Sequence, residues 1–378
     1  MFKIFRFFFH IKNLISFLQV PRDQRRLVFY SEGRNYWSYL EGLILEFLKT
    51  SDTPICYITS DASDPALSLV HPNFKTFRTD EGFIRNWLFE NLEADFMVMT
   101  MPDLHQYQVK RSVHPVHYIY VQHSLVSLHM VYRPGAFDHF DTLFCAGPHH
   151  FAEARALEAQ RQTKEKNLVE HGYGRLDSII EAAKIYPKKA KPADAPKHVL
   201  LAPSWGPTST IESGIGEKLV DQLLDLGCQV TLRPHPQTII FFRPQVDSIV
   251  KKHKDNPLFT FEANVSGQDS LQDSDVMISD WSGAALDYAF GLKKPVLFVD
   301  VPKKINNPEW EEIEHVPFEV SIREKIGAVI KDGVITKELL ETVKISEIDE
   351  GFFFQNSNSK GAIALKSLLG ENLEPTSK

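Results

Sequence analysis

Short apolar runs alternate along this chain with stretches in which apolar residues recur every three or four positions. The first pattern suits strands buried on both faces, and the second suits helices with one covered side. Runs at 26–30, 54–59, 95–100, 116–121 and 141–145 predict strands. Between and after them, 36–49 (with Leu40, Leu43, Ile44, Phe47 and Leu48 on one side), 82–91, 148–162 and 175–186 predict helices. A second series starts near residue 197, with apolar runs from Val199, Val230 and Val276 and another at Lys294-Pro295-Val296. A helix through Leu219 to Leu226 is opened by Gly214-Ile215-Gly216, and a last helix spans 360–369 before a polar tail. Such alternation predicts parallel sheets covered by helices on both faces. Segment 187–197, with Pro187, Pro192 and Pro196 and no apolar period, reads as a linker. The organisation expected is therefore a helix at 1–20, one α/β unit at 26–186, the linker, a second unit at 198–345, and a closing helix and tail at 346–378.

The first twenty residues depart from this pattern. At 100° per residue Ile4, Phe7, Phe8, Ile11, Leu14, Ile15 and Leu18 share a face, and Lys3, Arg6, His10 and Asn13 share the opposite one. Lys3, Arg6 and Lys12 interrupt the run, so it does not read as a membrane span, and no secretory cleavage site follows. Off-face Phe2, Phe5, Phe9 and Phe17 favour a helix lying in a membrane interface over one packed on the chain's own core. Arg22, Arg25 and Arg26 would then meet anionic headgroups, at about 1 kcal/mol each. This places the protein in the cytoplasm, peripheral on the inner face of the cell membrane.

Composition narrows the function classes. A net charge of −7 argues against a nucleic-acid partner, which needs a basic surface. Cys56, Cys145 and Cys228 are odd in number, far apart and set in apolar surroundings, so they read as buried thiols. There is no P-loop, no Gly-x-Gly-x-x-Gly after a first strand and no Gly-x-Ser-x-Gly elbow.

The candidate chemistry lies at strand ends. Val276-Met277-Ile278 runs into Ser279-Asp280, and a helix begins near Ser282 or Gly283. A strand that turns into a helix through small hydroxylated residues aims backbone N–H groups and the positive helix terminus at one spot, which suits a phosphate. The same serines and aspartate also suit simple helix capping. Val230-Thr231-Leu232 ends in Arg233-Pro234-His235-Pro236, where two prolines stiffen the chain around an imidazole beside a guanidinium. Val199-Leu200-Leu201-Ala202-Pro203 ends in Ser204-Trp205, adding a hydroxyl and an aromatic face. In open α/β sheets ligands bind beyond the carboxyl ends of strands, so the three ends predict one crevice.

Ala-Pro-Ser-Trp at 202–205, Arg-Pro-His-Pro at 233–236, and Ile-Ser-Asp-Trp-Ser with Asp287-Tyr288-Ala289 and Lys294-Pro295-Val296 together resemble the CDP-glycerol glycerophosphotransferase family of teichoic-acid primases and polymerases. The resemblance covers roughly residues 115–300 in motif order and implies a GT-B-like fold, two Rossmann-like domains facing a cleft. It also implies that His123, after Ile119-Tyr120-Val121-Gln122, is the general base, at the place of the family's histidine. Two departures stand out: Ser124 replaces a glycine, and Gly206 stands where an arginine commonly follows the tryptophan.

His149-His150 lack chelating spacing, and Asp273-Ser274-Asp275 precedes its strand instead of following it, so neither metal nor other cofactor is expected. Arg233, His235, Ser279, Asp280, Ser282 and Gly283 are expected to line a donor diphosphate, with His123 and His235 catalytic. Ser204 and Trp205 are expected in the same cleft, with Asp287 anchoring the helix or touching a ribose. The activity implied is transfer of glycerol phosphate, or a related polyol phosphate, from a CDP-activated donor to a glycan or lipid-linked acceptor. Two alternatives stand beside it: a glycosyltransferase using a nucleotide sugar, and a non-catalytic nucleotide-binding partner of a membrane glycan assembly complex.

Overall fold

A computed structural model describes residues 2–80, 82–187, 192, 194–264, 268–346 and 350–371. Much of the expected linker and the last seven residues of the tail lie outside these. Among the described residues thirteen parallel-paired strands form two sheets. The first contains β1 (Leu27–Ser31), β2 (Ile55–Thr59), β3 (Phe74–Arg78), β4 (Phe96–Met99), β5 (His117–Val121), β6 (Thr142–Cys145) and β7 (Asn167–Glu170), in the order β3-β2-β1-β4-β5-β6-β7. The second contains β8 (His198–Leu201), β9 (Gln229–Leu232), β10 (Phe259–Phe261), β11 (Val276–Ser279), β12 (Val296–Val299) and β13 (Gly327–Ile330), in the order β10-β9-β8-β11-β12-β13. Each is a doubly wound sheet whose strand order reverses once, between β1 and β4 and between β8 and β11. The architecture is GT-B-like, as the resemblance implied.

The central strands form because they are mostly apolar, with a polar residue only at an end: every residue of β1, β2, β8, β11 and β12 is buried. The periodicity missed β3, β7, β10 and β13. All are at or next to sheet edges, and their half-exposed residues dilute the apolar run.

Among the described residues fourteen helices follow in chain order. The first unit carries α1 (Phe2–Leu18), α2 (Arg34–Thr50), α3 (Phe83–Glu90), α4 (Pro148–Arg161) and α5 (Gly174–Ile185). The second carries α6 (Ile215–Asp225), α7 (Pro236–Phe241), α8 (Arg243–His253), α9 (Asp269–Asp273), α10 (Gly283–Leu292), α11 (Phe318–Ser321), α12 (Arg323–Ile326) and α13 (Lys337–Thr342), and α14 (Ser357–Leu369) closes the chain. α14 returns to the first unit. Ala362, Leu365 and Leu369 share a core with Leu40, Leu43 and Phe47 of α2, and Asp177 of α5 accepts hydrogen bonds from Ser357 N (2.7 Å) and Oγ (2.6 Å).

Part of the surface of α1 is taken up by the fold. It packs against β3 and α3 through a narrow face holding His10, Leu14 and Phe17. Phe17 is 1% exposed and meets Phe77 edge-on, and Asn13 Oδ1 accepts from Arg78 N at 3.1 Å. His10, assigned to the polar face, is buried, while Phe7, Phe8, Ile15 and Leu18 of the apolar face are exposed. The following arginines are also engaged. Arg22 and Arg26 each pair with Asp95 at 2.6 Å, and Arg25 pairs with Glu93 at 3.2 Å and packs on Phe17. Of the apolar face that the periodicity marks, Leu14 joins the off-face Phe17 against the core, while Phe7, Phe8, Ile15 and Leu18 point outward. Among the described residues no helix is long and apolar enough to cross a membrane.

Candidate functional site

The switch point of the second sheet lies between β8 and β11, and the strand-end motifs gather there. Ser282 is the N-cap of α10, its Oγ accepting from Ala284 N at 3.3 Å, so the first turn of a ten-residue helix points out of the sheet edge. Gly283 follows. A Cβ at this position would stand 2.5 Å from Ser124 Oγ, so the loop after β5 of the first unit closes directly onto the helix start. This approach brings His123 to the same edge.

His123 sits in a cage of tyrosines. Tyr36, Tyr39, Tyr120 and Tyr132 hold their ring centres 5.8–6.1 Å from the imidazole, all edge-to-face. Nδ1 lies 2.7 Å from Tyr120 Oη, and Tyr173 Oη donates to the His123 carbonyl at 3.1 Å. Burial pushes its pKa down to about 4, against a small upward pull from the Thr100 carbonyl, so the ring is neutral at neutral pH.

Two of the residues expected at a diphosphate face inward instead. Asp280 is buried and accepts four hydrogen bonds, from Ser204 N (2.7 Å), Trp281 N (2.6 Å), Thr210 N (3.1 Å) and Thr210 Oγ1 (2.8 Å). Its carboxylate braces the loops after β8 and β11, and its charge would repel a phosphate. Ser279 Oγ donates to the Ala202 carbonyl at 2.8 Å, tying β11 to the end of β8. Ser204 is likewise buried, its hydroxyl 3.1 Å from Ser209 Oγ. Motif spacing gave these residues the right neighbourhood but not their direction.

Arg233 and His235, two positions apart, go to different places. His235 caps α7, Nδ1 accepting from Gln237 N at 3.1 Å, and its ring stacks on Trp205 at 6.0 Å. Burial first, then Lys304, lowers its pKa to about 4. With Nδ1 accepting, the neutral ring carries its proton on Nε2 and is a donor. Trp205 stacks in turn on Phe241 at 6.3 Å, and the Lys304 ammonium stands 5.0 Å from the Trp205 ring centre. Arg233 is buried on the α9 and α10 side, Nη1 donating to Ser270 Oγ at 3.0 Å.

There it meets a pair that the sequence did not reveal. Asp287 is buried and accepts from Arg175 Nε at 2.8 Å, joining α10 to α5. Burial raises the Asp287 pKa while Arg175, in direct contact, and Arg233, through its charge alone, pull it down. Of the two roles weighed for Asp287, this geometry fits anchoring the helix. Arg175 also lies 5.9 Å from the ring centre of Tyr39, one of the tyrosines around His123.

The loop bearing His123 is fixed across both units. Glu319 accepts from Ser127 N and Oγ, each at 2.8 Å, and His129 Nε2 lies 2.9 Å from the His315 carbonyl. Asn306 N and Asn307 N donate to the Met130 carbonyl at 2.9 and 3.2 Å, and the Met130 side chain is buried in the core of the second unit. Among the described residues no group of three or more His, Cys, Asp or Glu is placed to hold a metal ion. Asp273 and Asp275 lie at the opposite end of β11, accepting from Tyr186 Oη (2.9 Å) and His198 N (2.8 Å).

Residues 135–304 match the model of the CDP-glycerol:poly(glycerophosphate) glycerophosphotransferase family, the family that the motifs resemble. The match takes in Arg233, His235, Ser282 and Asp287 and begins after His123. No curated protein matches the chain. Among solved structures it is similar to the UDP-GlcNAc 2-epimerase of Methanocaldococcus jannaschii in complex with UDP-GlcNAc and UDP. There the TM-score is 0.57 at 13% identity, covering 91% of this chain and 99% of that one. The UDP-GlcNAc 2-epimerase of Neisseria meningitidis bound to UDP-GlcNAc gives 0.54 at 13% identity, over 91% and 99%. At these identities the likeness establishes the fold.

Proposed function

We propose that this protein transfers glycerol phosphate, or a related polyol phosphate, from a CDP-activated donor to a hydroxyl of a cell-envelope or capsule glycan, releasing CMP. The observation that carries the reading is the meeting of Ser124 with Gly283. It sets a neutral histidine from one unit against the start of α10 in the other. The family match over 135–304 supports a glycerophosphate-type transfer.

In this reading the diphosphate lies at the N-terminus of α10, held by backbone N–H groups and by the Nε2–H of His235. The acceptor oxygen attacks the β-phosphorus, its proton passes to His123 Nε2, and the bond from that phosphorus to the oxygen bridging it to CMP breaks. CMP leaves with the electron pair. For this the imidazole holds its own proton on Nδ1, towards Tyr120 Oη, which keeps the Nε2 lone pair free. Trp205 offers an aromatic face beside the diphosphate. Phe7, Phe8, Ile15 and Leu18 of α1, exposed next to α3 with its own exposed Phe83 and Trp87, would seat the protein on the membrane that carries a lipid-linked acceptor.

The test is nucleotide release. Incubated with a lipid-linked glycan acceptor and, separately, CDP-glycerol, CDP-ribitol and UDP-, GDP- and CMP-sugars, the protein should liberate CMP from a CDP-polyol. Release from a nucleotide sugar alone would replace this reading with a glycosyltransferase.

A further inference from the structure

Lys304 is a cation that nothing in the site yet uses. It follows β12, whose carboxyl end lies beside that of β11 and one strand away from β8, and its ammonium stands 5.0 Å from the Trp205 ring centre, on the platform that Trp205 forms with His235. The side chain is half-buried and makes no hydrogen bond or ion pair among the described residues. Two carboxylates face it, Asp280 and Glu212, neither within ion-pair distance. Asp280 is committed to Ser204, Trp281 and Thr210, and Glu212 Oε1 accepts from Thr238 Oγ1 at 2.6 Å and Gly206 N at 3.4 Å. Holding a lysine partly desolvated without a direct counter-ion is costly unless an anion arrives to meet it.

The neighbouring backbone explains why this charge comes from so far along the chain. Position 206 directly follows the tryptophan, where the resembled motif commonly carries an arginine. Here Gly206 has φ +139°, a conformation that L side chains rarely adopt, although the space around it is open. The loop therefore does not readily present a cation of its own, and Lys304 reaches the same tryptophan from the end of β12.

We infer that Lys304 is a ligand of the donor's diphosphate, delivered over Trp205 in place of a side chain at position 206. The inference rests on the proposed reading of the site as a nucleoside-diphosphate site, but it does not depend on which group is transferred. Binding of cytidine, CMP, CDP, UDP and GDP to the whole protein by titration calorimetry tests it, with Lys304→Gln, Lys304→Arg and the unaltered protein compared at two salt concentrations. Lys304→Gln should weaken the preferred nucleoside diphosphate tenfold or more and change the matching nucleoside less than twofold. Lys304→Arg should stay within about threefold, and the salt dependence of diphosphate binding should be shallower in Lys304→Gln. Equal weakening of nucleoside and diphosphate would overturn the inference by making Lys304 a packing residue. So would unchanged diphosphate affinity in Lys304→Gln, or failure of every diphosphate to bind the unaltered protein. If CDP binds through Lys304 while no CDP-polyol is turned over, the proposed reaction fails and Lys304 keeps its role.

Discussion

His123 combines two properties that pull against each other. Its burial among tyrosines keeps it neutral and able to accept a proton, but a pKa near 4 makes it a weak base until a substrate changes its surroundings. His123→Ala should lower kcat by about 10²–10⁴-fold, the usual contribution of a positioned general base, with CDP affinity measured by calorimetry unchanged. The acid limb of kcat/KM, which reports the free enzyme, should fall near pH 4 to 5, well below the ordinary histidine value of about 6.5. An acid limb at 6.5 in a pH–rate profile would remove His123 from the role. The contact between Ser124 and Gly283 makes a second residue-scale test. Gly283→Ala should lower both stability and activity because its methyl meets Ser124 Oγ. Ser124→Gly on top of it should restore most of both, a coupling of about 0.5–3 kcal/mol in a double-mutant cycle followed by urea denaturation.

At the scale of elements, α1 divides its apolar residues between the fold and the surroundings. Phe17→Ala should destabilise the protein by about 3–5 kcal/mol in urea titrations, because Phe17 is sealed against Phe77. Phe7→Ser with Phe8→Ser should leave the urea midpoint unchanged and abolish co-sedimentation with phosphatidylglycerol vesicles. Vesicle binding that survives the double substitution would place the membrane contact elsewhere. The elements also mark what the sequence could reveal. Strand ends at Ser204-Trp205, Arg233-Pro234-His235 and Ser282-Gly283 were legible because proline, serine and glycine at the end of an apolar run report local backbone geometry. The directions of Ser279, Asp280 and Ser204 were not, because each is set by a partner 5 to 77 positions away. Arg175 was invisible for the same reason: on α5 it is one more surface-type residue, and only the docking of α10 makes it the counter-ion of a buried aspartate. The tyrosine cage comes from three separate segments, α2, β5 and the loop that carries Tyr132, which no local pattern joins. The strand–helix alternation, by contrast, depends on burial within each segment, and it gave the fold class and most central strands.

For the molecule as a whole, buried and half-buried imidazoles contribute to the response to acid, His149 and His150 among them. His123, His171 and His235 each have a pKa lowered by burial to about 4, whereas in the unfolded chain they titrate near 6.5. Between those values the unfolded state binds more protons than the native one, so this contribution makes stability rise with pH across the window and fall as pH drops from 6.5 to 4. His171 packs against Phe144, and its Nδ1 lies 3.0 Å from the Gly172 carbonyl, with no part in the proposed chemistry. In His171→Gln, the urea midpoint should decline less between pH 7 and pH 5 than in the unaltered protein. An identical decline would show that this imidazole does not contribute.

Met130 belongs by sequence to the first unit and by packing to the core of the second, and the backbone on either side of it is bound to Asn306, Asn307 and Glu319. Two lobes joined only by a strand of chain could swing apart like a jaw, whereas these must first withdraw a thioether from oil-like surroundings. Separation would therefore require local unfolding around Met130 in addition to any hinge motion. Loading and unloading of nucleotide would then quicken in mild urea before any global melting, a kinetic signature that freely hinged lobes would lack.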